Sequence, residues 1–186
     1  VKPRQGEVLF QGRPIHRLPA HEIVALGVGH VPEGRRIFPR LTVEENLEIG
    51  AYLENDRKVI QERKEQVYQL FPRLYERRQQ KGGTLSGGEQ QMVAVARAMV
   101  EPRDLLIIDE PSKGLAPAII NNMIEAFDQL KKSGVTILLV EQNIHFAKRL
   151  GDTVAVMDNG QVVHAGSMAA LAEDEALQRS LLGLAL

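Results

Sequence analysis

Leu-Ser-Gly-Gly-Glu-Gln-Gln at residues 85–91 and Leu-Leu-Ile-Ile-Asp-Glu-Pro at residues 105–111 decide the fold of this chain. In the first stretch, Ser86 stands three residues before Glu89, which is the spacing of a helix capping box, and two glycines follow the serine. In the second, a short apolar run the length of one strand ends in two adjacent carboxylates. We therefore expect a helix that begins at Ser86 and a buried strand that presents Asp109 and Glu110 at its end.

The start of the helix predicted at Ser86 has the chemistry of an anion site. Free backbone N–H groups and the helix dipole favour negative charge there, and glycines leave those N–H groups open to a ligand. For residues 86–89 alone, a well-capped helix without a ligand is the simpler interpretation. The longer pattern, which continues through Gln91 to Ala94-x-Ala96-Arg97-Ala98, favours the functional one.

Together the two stretches resemble the signature loop and the Walker B strand of ABC-type ATPases. The resemblance implies that Asp109 positions Mg²⁺ and that Glu110 is the general base that polarises the attacking water during ATP hydrolysis. It also implies that the start of the signature helix binds the γ-phosphate of ATP held by the opposite subunit. The residues assigned to that contact are Ser86, Gly87, Gly88 and Glu89.

Three departures from the general family pattern indicate which subfamily the chain resembles. Glu33 stands where the Q-loop glutamine is expected, Gln142 where the switch histidine is expected, and Ala116 where the D-loop aspartate is expected. The same replacements characterise the second ATP-binding subunit of branched-chain amino-acid importers, which the chain resembles over nearly its whole length. Lys113 is unexpected, because this position is commonly aliphatic in that subfamily.

The resemblance gives two of these positions a catalytic context. Gln142 can donate a hydrogen bond to a γ-phosphate but cannot take up a proton as histidine can. Glu33 would lie near Mg²⁺ and could bind the metal and its nucleotide directly or through water. An ordinary polar loop residue is the alternative interpretation for both.

The phosphate loop that holds ATP in this family is not found in the sequence. No G-x-x-x-x-G-K-[ST] motif occurs, nor any Gly-Lys dipeptide. The resemblance begins just after the segment that would contain that loop. We therefore interpret the chain as an N-terminally truncated cassette that is inactive when alone.

The composition excludes several other classes of protein. The 186 residues include no cysteine, so disulfides and thiolate metal sites are excluded, and the five histidines show no ligand spacing. A formal net charge of −1 gives no global field toward nucleic acid, which we do not expect as a partner. The longest aliphatic stretches, such as residues 135–140, are far too short for a membrane span.

Strands that alternate with helices in the second half predict a parallel sheet reached by crossovers. The expected fold class is therefore α/β, a P-loop NTPase-like ABC nucleotide-binding domain with a mostly parallel sheet and an inserted helical subdomain. We expect residues 1–186 to form one partial ABC ATPase domain. The helical subdomain with the signature would span about 42–100, and the α/β core would comprise about 1–41 and 101–186.

The function implied by the resemblance is that of an ATP-hydrolysing subunit of an importer for branched-chain or related amino acids. ATP and Mg²⁺ are the expected cofactors. The expected partners are a second ATPase subunit, transmembrane permeases and, indirectly, an external binding protein, with the chain on the cytoplasmic face of the membrane. Two alternatives stay open: a truncated, non-hydrolysing module that offers only the signature half-site, and an ABC ATPase without a role in transport. The transported solute is not encoded here.

Overall fold

The computed structural model describes residues 3–182 as nine helices and seven strands. The helices are Ala20–Ala25 (α1), Val43–Gly50 (α2), Arg57–Leu70 (α3), Pro72–Glu76 (α4), Gly87–Met99 (α5), Pro117–Lys132 (α6), Ile144–Leu150 (α7), Met168–Glu173 (α8) and Glu175–Leu182 (α9). The strands are Leu9–Phe10 (β1), Arg13–Pro14 (β2), Val28–Val31 (β3), Leu105–Asp109 (β4), Thr136–Val140 (β5), Thr153–Asp158 (β6) and Gln161–Ser167 (β7). Within these residues, no helix combines the length and the apolar character needed to cross a membrane.

A three-stranded parallel sheet in the order β3-β4-β5 forms the centre of the fold. Val31 pairs with Ile108, and Asp109 pairs with Val140. The three strands therefore end at one edge, here named the carboxyl edge. The other strands form two antiparallel pairs, β1 with β2 and β6 with β7. The structure confirms the expected α/β class with a parallel sheet.

One face of this sheet is buried and the other is partly open. Leu106 and Ile108 are almost completely buried in a cluster with apolar residues of α2, α5 and α6. On the opposite face, Leu138 and Val140 remain 51% and 49% exposed. Within β4 itself, Leu105 and Ile107 on that second face are only partly buried.

The helical stretch between β3 and β4 comprises α2 to α5. It is not one continuous helix, since α3 ends at Leu70 and a short α4 begins at Pro72. Proline lacks an N–H group and disfavours helical backbone at the preceding residue, here Phe71, so the helix is interrupted.

Helix α5 begins with the predicted capping box. The Ser86 side chain accepts a hydrogen bond from the N–H of Glu89, whose carboxylate accepts one from the N–H of Ser86 at 2.9 Å. The same carboxylate pairs with Arg77 at 2.7 Å. Partial burial opposes its ionisation, but the hydrogen bonds from Ser86 and the charge of Arg77 outweigh burial and lower the pKa of Glu89. The ionised form therefore stabilises the start of α5.

Replacing the carboxylate by an amide tests this cap. Because the folded state lowers the pKa of Glu89, its contribution is present above the unfolded pKa and is lost as pH falls through the folded pKa. We expect Glu89→Gln to lower the free energy of unfolding by about 1 kcal/mol at pH 7. The difference from wild type should shrink below about pH 4. Urea unfolding between pH 3 and pH 7 measures it.

The matched control is Glu62→Gln, which removes an exposed carboxylate from the surface of α3. This variant should stay within about 0.5 kcal/mol of wild type at every pH. A pH-independent difference for Glu89→Gln would show that the charge of Glu89 does not stabilise the cap.

Candidate functional site

The loops that follow the three parallel strands bring the predicted catalytic residues together. Glu33 lies two residues after β3, Glu110 follows β4 directly, and Gln142 lies two residues after β5. In open α/β sheets, ligands bind beyond the carboxyl ends of the strands. The carboxyl edge is thus the candidate active site.

Glu110 is held on both of its carboxylate oxygens. Gln142 donates a short hydrogen bond to Oε1, and Lys113 Nζ lies 2.8 Å from Oε2. The hydrogen bond and the charge of Lys113, with a smaller contribution from Gln142, lower the pKa of Glu110. The backbone φ of Glu110 is 45°, a conformation that is uncommon for residues other than glycine and that is found at functional sites.

Lys113 also joins this site to the loop after β3. Its Nζ lies 2.7 Å from Glu33 Oε1, so one ammonium group bridges Glu33 and Glu110. The sequence shows only that Lys113 stands at a position that is commonly aliphatic in the subfamily. Its contacts depend on two loops that are distant in sequence, and no spacing rule could have identified them.

Asp109 ends β4 and has no hydrogen bond or ion pair to other side chains within residues 3–182. No group of three or more histidine or acidic side chains in the described part of the chain is placed to hold a metal ion. Mg²⁺ commonly takes one or two carboxylates and completes its octahedron with phosphate oxygens and water. The oxygen donors of Asp109 and Glu33 fit that use, because they need to supply only part of the coordination shell.

Glu141 braces the loops around the catalytic carboxylate. One of its oxygens accepts the N–H of Ser112 at 2.8 Å, and the other accepts the N–H of Asn143 at 3.1 Å. These bonds connect the loop after β4 to the loop after β5, on which Gln142 lies. This role of Glu141 could not be predicted from the sequence, because no motif distinguishes an acidic residue beside Gln142.

The four signature residues at the start of α5 differ in their exposure to solvent. Ser86 is exposed and Gly87 is half-buried, whereas Gly88 and Glu89 are buried. A Cβ on Gly88 would lie 2.8 Å from Ile119 of α6, so that glycine permits close packing between the two helices. Because the N–H of Ser86 and the carboxylate of Glu89 are both used in the cap, the remaining N–H donor on an accessible residue at this end of the helix is that of Gly87.

Arg35 connects the segment after β3 with the signature. Its Nη1 donates a hydrogen bond to Gln90 Oε1 at 3.3 Å, and its Nη2 lies 2.8 Å from the position that a Cβ on Gly87 would occupy. A cleft of about 440 Å³ opens here between residues 33–39, the first turns of α5 and the loop after β4. The signature helix and the catalytic carboxylate therefore border one cleft.

The loop that carries Glu33 and Arg35 is fixed from α2 and α5. The buried amide of Asn46 accepts the N–H of Phe38 at 2.8 Å and donates to the Phe38 carbonyl at 3.0 Å. Arg97 donates to the carbonyl of Arg36 at 2.7 Å and lies over the Phe38 ring. The cleft therefore has a defined wall on this side.

Comparisons with known proteins agree with this site. The family model described as ABC transporter matches residues 1–113. The chain is 44% identical over 178 residues to the high-affinity branched-chain amino acid transport ATP-binding protein BraG of Pseudomonas aeruginosa, and the match covers 96% of this chain and 76% of BraG. It is 37% identical to the probable branched-chain amino acid transport ATP-binding protein LivF of Archaeoglobus fulgidus, again with 96% and 76% covered.

Among solved structures, CbiO1 of Clostridium perfringens, described as part of an ABC transporter complex, superposes with a TM-score of 0.81 at 26% identity. That match covers 99% of this chain and 75% of CbiO1. The family match, the sequence relatives and the fold point to the same family. The chain belongs to the ABC transporter family of ATP-binding proteins.

Proposed function

We propose that this chain is the ATP-binding and ATP-hydrolysing subunit of an importer for branched-chain or related amino acids. The observation that carries the proposal is the 44% identity to BraG across 96% of this chain. The alternative of an ABC ATPase outside transport has no support in the relatives described above. Permeases and external binding proteins would select the solute.

Hydrolysis would use the residues at the carboxyl edge. Glu110 accepts a proton from the attacking water, for which its carboxylate must be ionised, and its lowered pKa favours that state at neutral pH. Gln142, already hydrogen-bonded to Glu110, orients the water and donates toward the γ-phosphate. Mg²⁺, held by Asp109 and Glu33, would neutralise charge on the phosphates. The N–H group of Gly87, beside the exposed Ser86, would contact ATP bound by a partner cassette.

The 186-residue chain would not hydrolyse ATP alone. It has no G-x-x-x-x-G-K-[ST] motif, whose backbone donors and lysine hold the β and γ phosphates. The open face of the sheet supports this proposal, because parallel sheets are normally covered on both sides. A segment with the phosphate loop would cover Leu138 and Val140 and bring the phosphates to the carboxyl edge.

The partners would be a second ATPase subunit, transmembrane permeases and, indirectly, an external binding protein, with the chain peripheral on the cytoplasmic face of the membrane. The permease contact would lie in the segment from Gly34 to about Lys81. Its exposed apolar side chains give that surface a partner-binding character. They are Phe38, Ile49, Tyr52 and Leu53.

The catalytic assignment predicts the behaviour of Glu110→Gln in a subunit that includes a phosphate loop. The amide cannot accept a proton, so turnover should fall about a hundredfold or more while ATP binding is retained. Phosphate release and nucleotide binding by calorimetry measure the two effects. Glu62→Gln is the matched control, because it removes an exposed carboxylate from α3 outside the cleft, and it should leave turnover close to wild type. Turnover near wild type in Glu110→Gln would identify another residue as the base, with Glu141 the next candidate.

The interface assignment predicts the behaviour of Arg36→Glu. The side chain of Arg36 is exposed, so reversing its charge should leave the fold intact but place a like charge against the permease surface. We expect transport in reconstituted vesicles to fall at least about tenfold. ATPase activity of the isolated subunit should change much less.

Arg17→Glu is the matched control, since it reverses an exposed charge outside the proposed interface. Arg35→Glu is a poor probe, because Arg35 contacts the signature residues. Transport and assembly of Arg36→Glu equal to those of Arg17→Glu would refute the interface.

A further inference from the structure

Lys113 occupies the space between two carboxylates that the proposed mechanism assigns to different tasks. Its ammonium lies 2.7 Å from Glu33 Oε1 and 2.8 Å from Glu110 Oε2. No other lysine or arginine within residues 3–182 pairs with either acid. The positive charge at this point of the site is therefore supplied by the chain itself.

The backbone around Lys113 is held in place. The N–H of Lys113 donates to the carbonyl of Glu110 at 3.3 Å, which closes a turn, and the neighbouring Ser112 is fixed by Glu141. Apart from its two ion pairs, the side chain is mostly exposed to solvent, with an exposed fraction of 61%. Lys113 can therefore leave the two carboxylates by rotation of its side chain, with no change in the backbone of the loop.

We propose that Lys113 is a positioning residue that competes with the divalent cation for the carboxylate of Glu33 while it is also paired with Glu110. In the metal-free state the lysine holds the loops after β3 and β4 together and balances one of the two negative charges. Displacement of the ammonium from Glu33 by a cation that arrives with the nucleotide would also release Glu110 for the water. This proposal rests on the proposed function, since the ATPase reaction brings the divalent cation to the site.

Repulsion between like charges is the physical basis of the competition between the Lys113 ammonium and a divalent cation. Glu33, Glu110 and Lys113 together carry a net charge of −1, and a divalent cation would meet the ammonium at close range. Like charges a few ångströms apart repel even where solvent screens them. Removing the ammonium should therefore strengthen metal binding at Glu33. A surface ion pair of no consequence is the competing explanation, since many exposed pairs contribute nothing measurable.

Metal affinity without nucleotide tests the proposal. Mn²⁺ is the probe, because it prefers oxygen ligands and its free form is measured by electron paramagnetic resonance. We compare the 186-residue chain with Lys113→Met, which keeps the length of the side chain but removes its charge. Lys113→Met should bind Mn²⁺ roughly three- to tenfold more tightly, as expected for a partly screened charge. Lys113→Arg should bind like wild type, because it keeps the charge.

Two further variants show whether the effect is local. Lys132→Met removes an exposed charge at the end of α6 and should leave the Mn²⁺ affinity at the wild-type value. Adding Glu33→Gln to Lys113→Met should abolish the gain, because one of the two carboxylates is lost. Circular dichroism and thermal unfolding establish that each variant is folded before binding is measured.

Equal Mn²⁺ affinity in wild type and Lys113→Met would overturn the proposal. An equal gain in Lys113→Arg or in Lys132→Met would also overturn it, since the effect would then not be the loss of this charge. The experiment requires neither turnover nor transport. A negative result therefore refutes only the proposed competition by Lys113. The proposed ATPase mechanism is refuted by a different result, which is wild-type turnover in Glu110→Gln.

Discussion

The burial of Leu106 and Ile108 in the middle strand is the constraint on which the rest of the structure depends. Both side chains pack into the main apolar cluster, so β4 cannot slide by one residue without turning that face to solvent. Because the register of β4 is fixed, Asp109 and Glu110 have to emerge at the carboxyl edge. Glu33 and Gln142 reach the site on the loops that follow β3 and β5 at the same edge.

The loops at this edge are held together mainly by charge. Lys113 and Gln142 occupy the two oxygens of Glu110, and Glu141 fixes the backbone beside each of them. Only Lys113 carries a positive charge in this group. Both oxygens of Glu110 thus have partners within the chain, and the one ammonium group among them belongs to a side chain that is 61% exposed.

The sequence predicted those parts of the molecule that depend on local rules. The capping box from Ser86 to Glu89 and the strand that ends at Asp109 follow from short-range hydrogen bonding and from hydrophobic pattern, and both are present. The break between α3 and α4 at Phe71 and Pro72 is also a local effect, because a residue before proline disfavours helical backbone. The helical spacing of the apolar residues on either side gives no sign of this break. The residue-by-residue roles at the site stay predictions.

Long-range contacts could not be predicted in the same way. The bridge from Lys113 to Glu33 joins positions 80 residues apart, and Arg35 lies 55 residues from Gln90. Such pairs depend on how separate loops leave a common edge, which no spacing within one segment encodes. The partly open face of the sheet, where Leu138 and Val140 stay exposed, likewise depends on which elements cover the sheet.

We propose that the general base and the signature lie in this chain and that a phosphate-loop segment must be joined to it to hold the phosphates of ATP. Phosphate release and ATP binding by the pure 186-residue chain with Mg²⁺, measured beside the same chain joined to a phosphate-loop segment, test this proposal. We expect no turnover and very weak binding for the chain alone, and turnover for the joined protein. Robust hydrolysis by the chain alone would contradict the proposal.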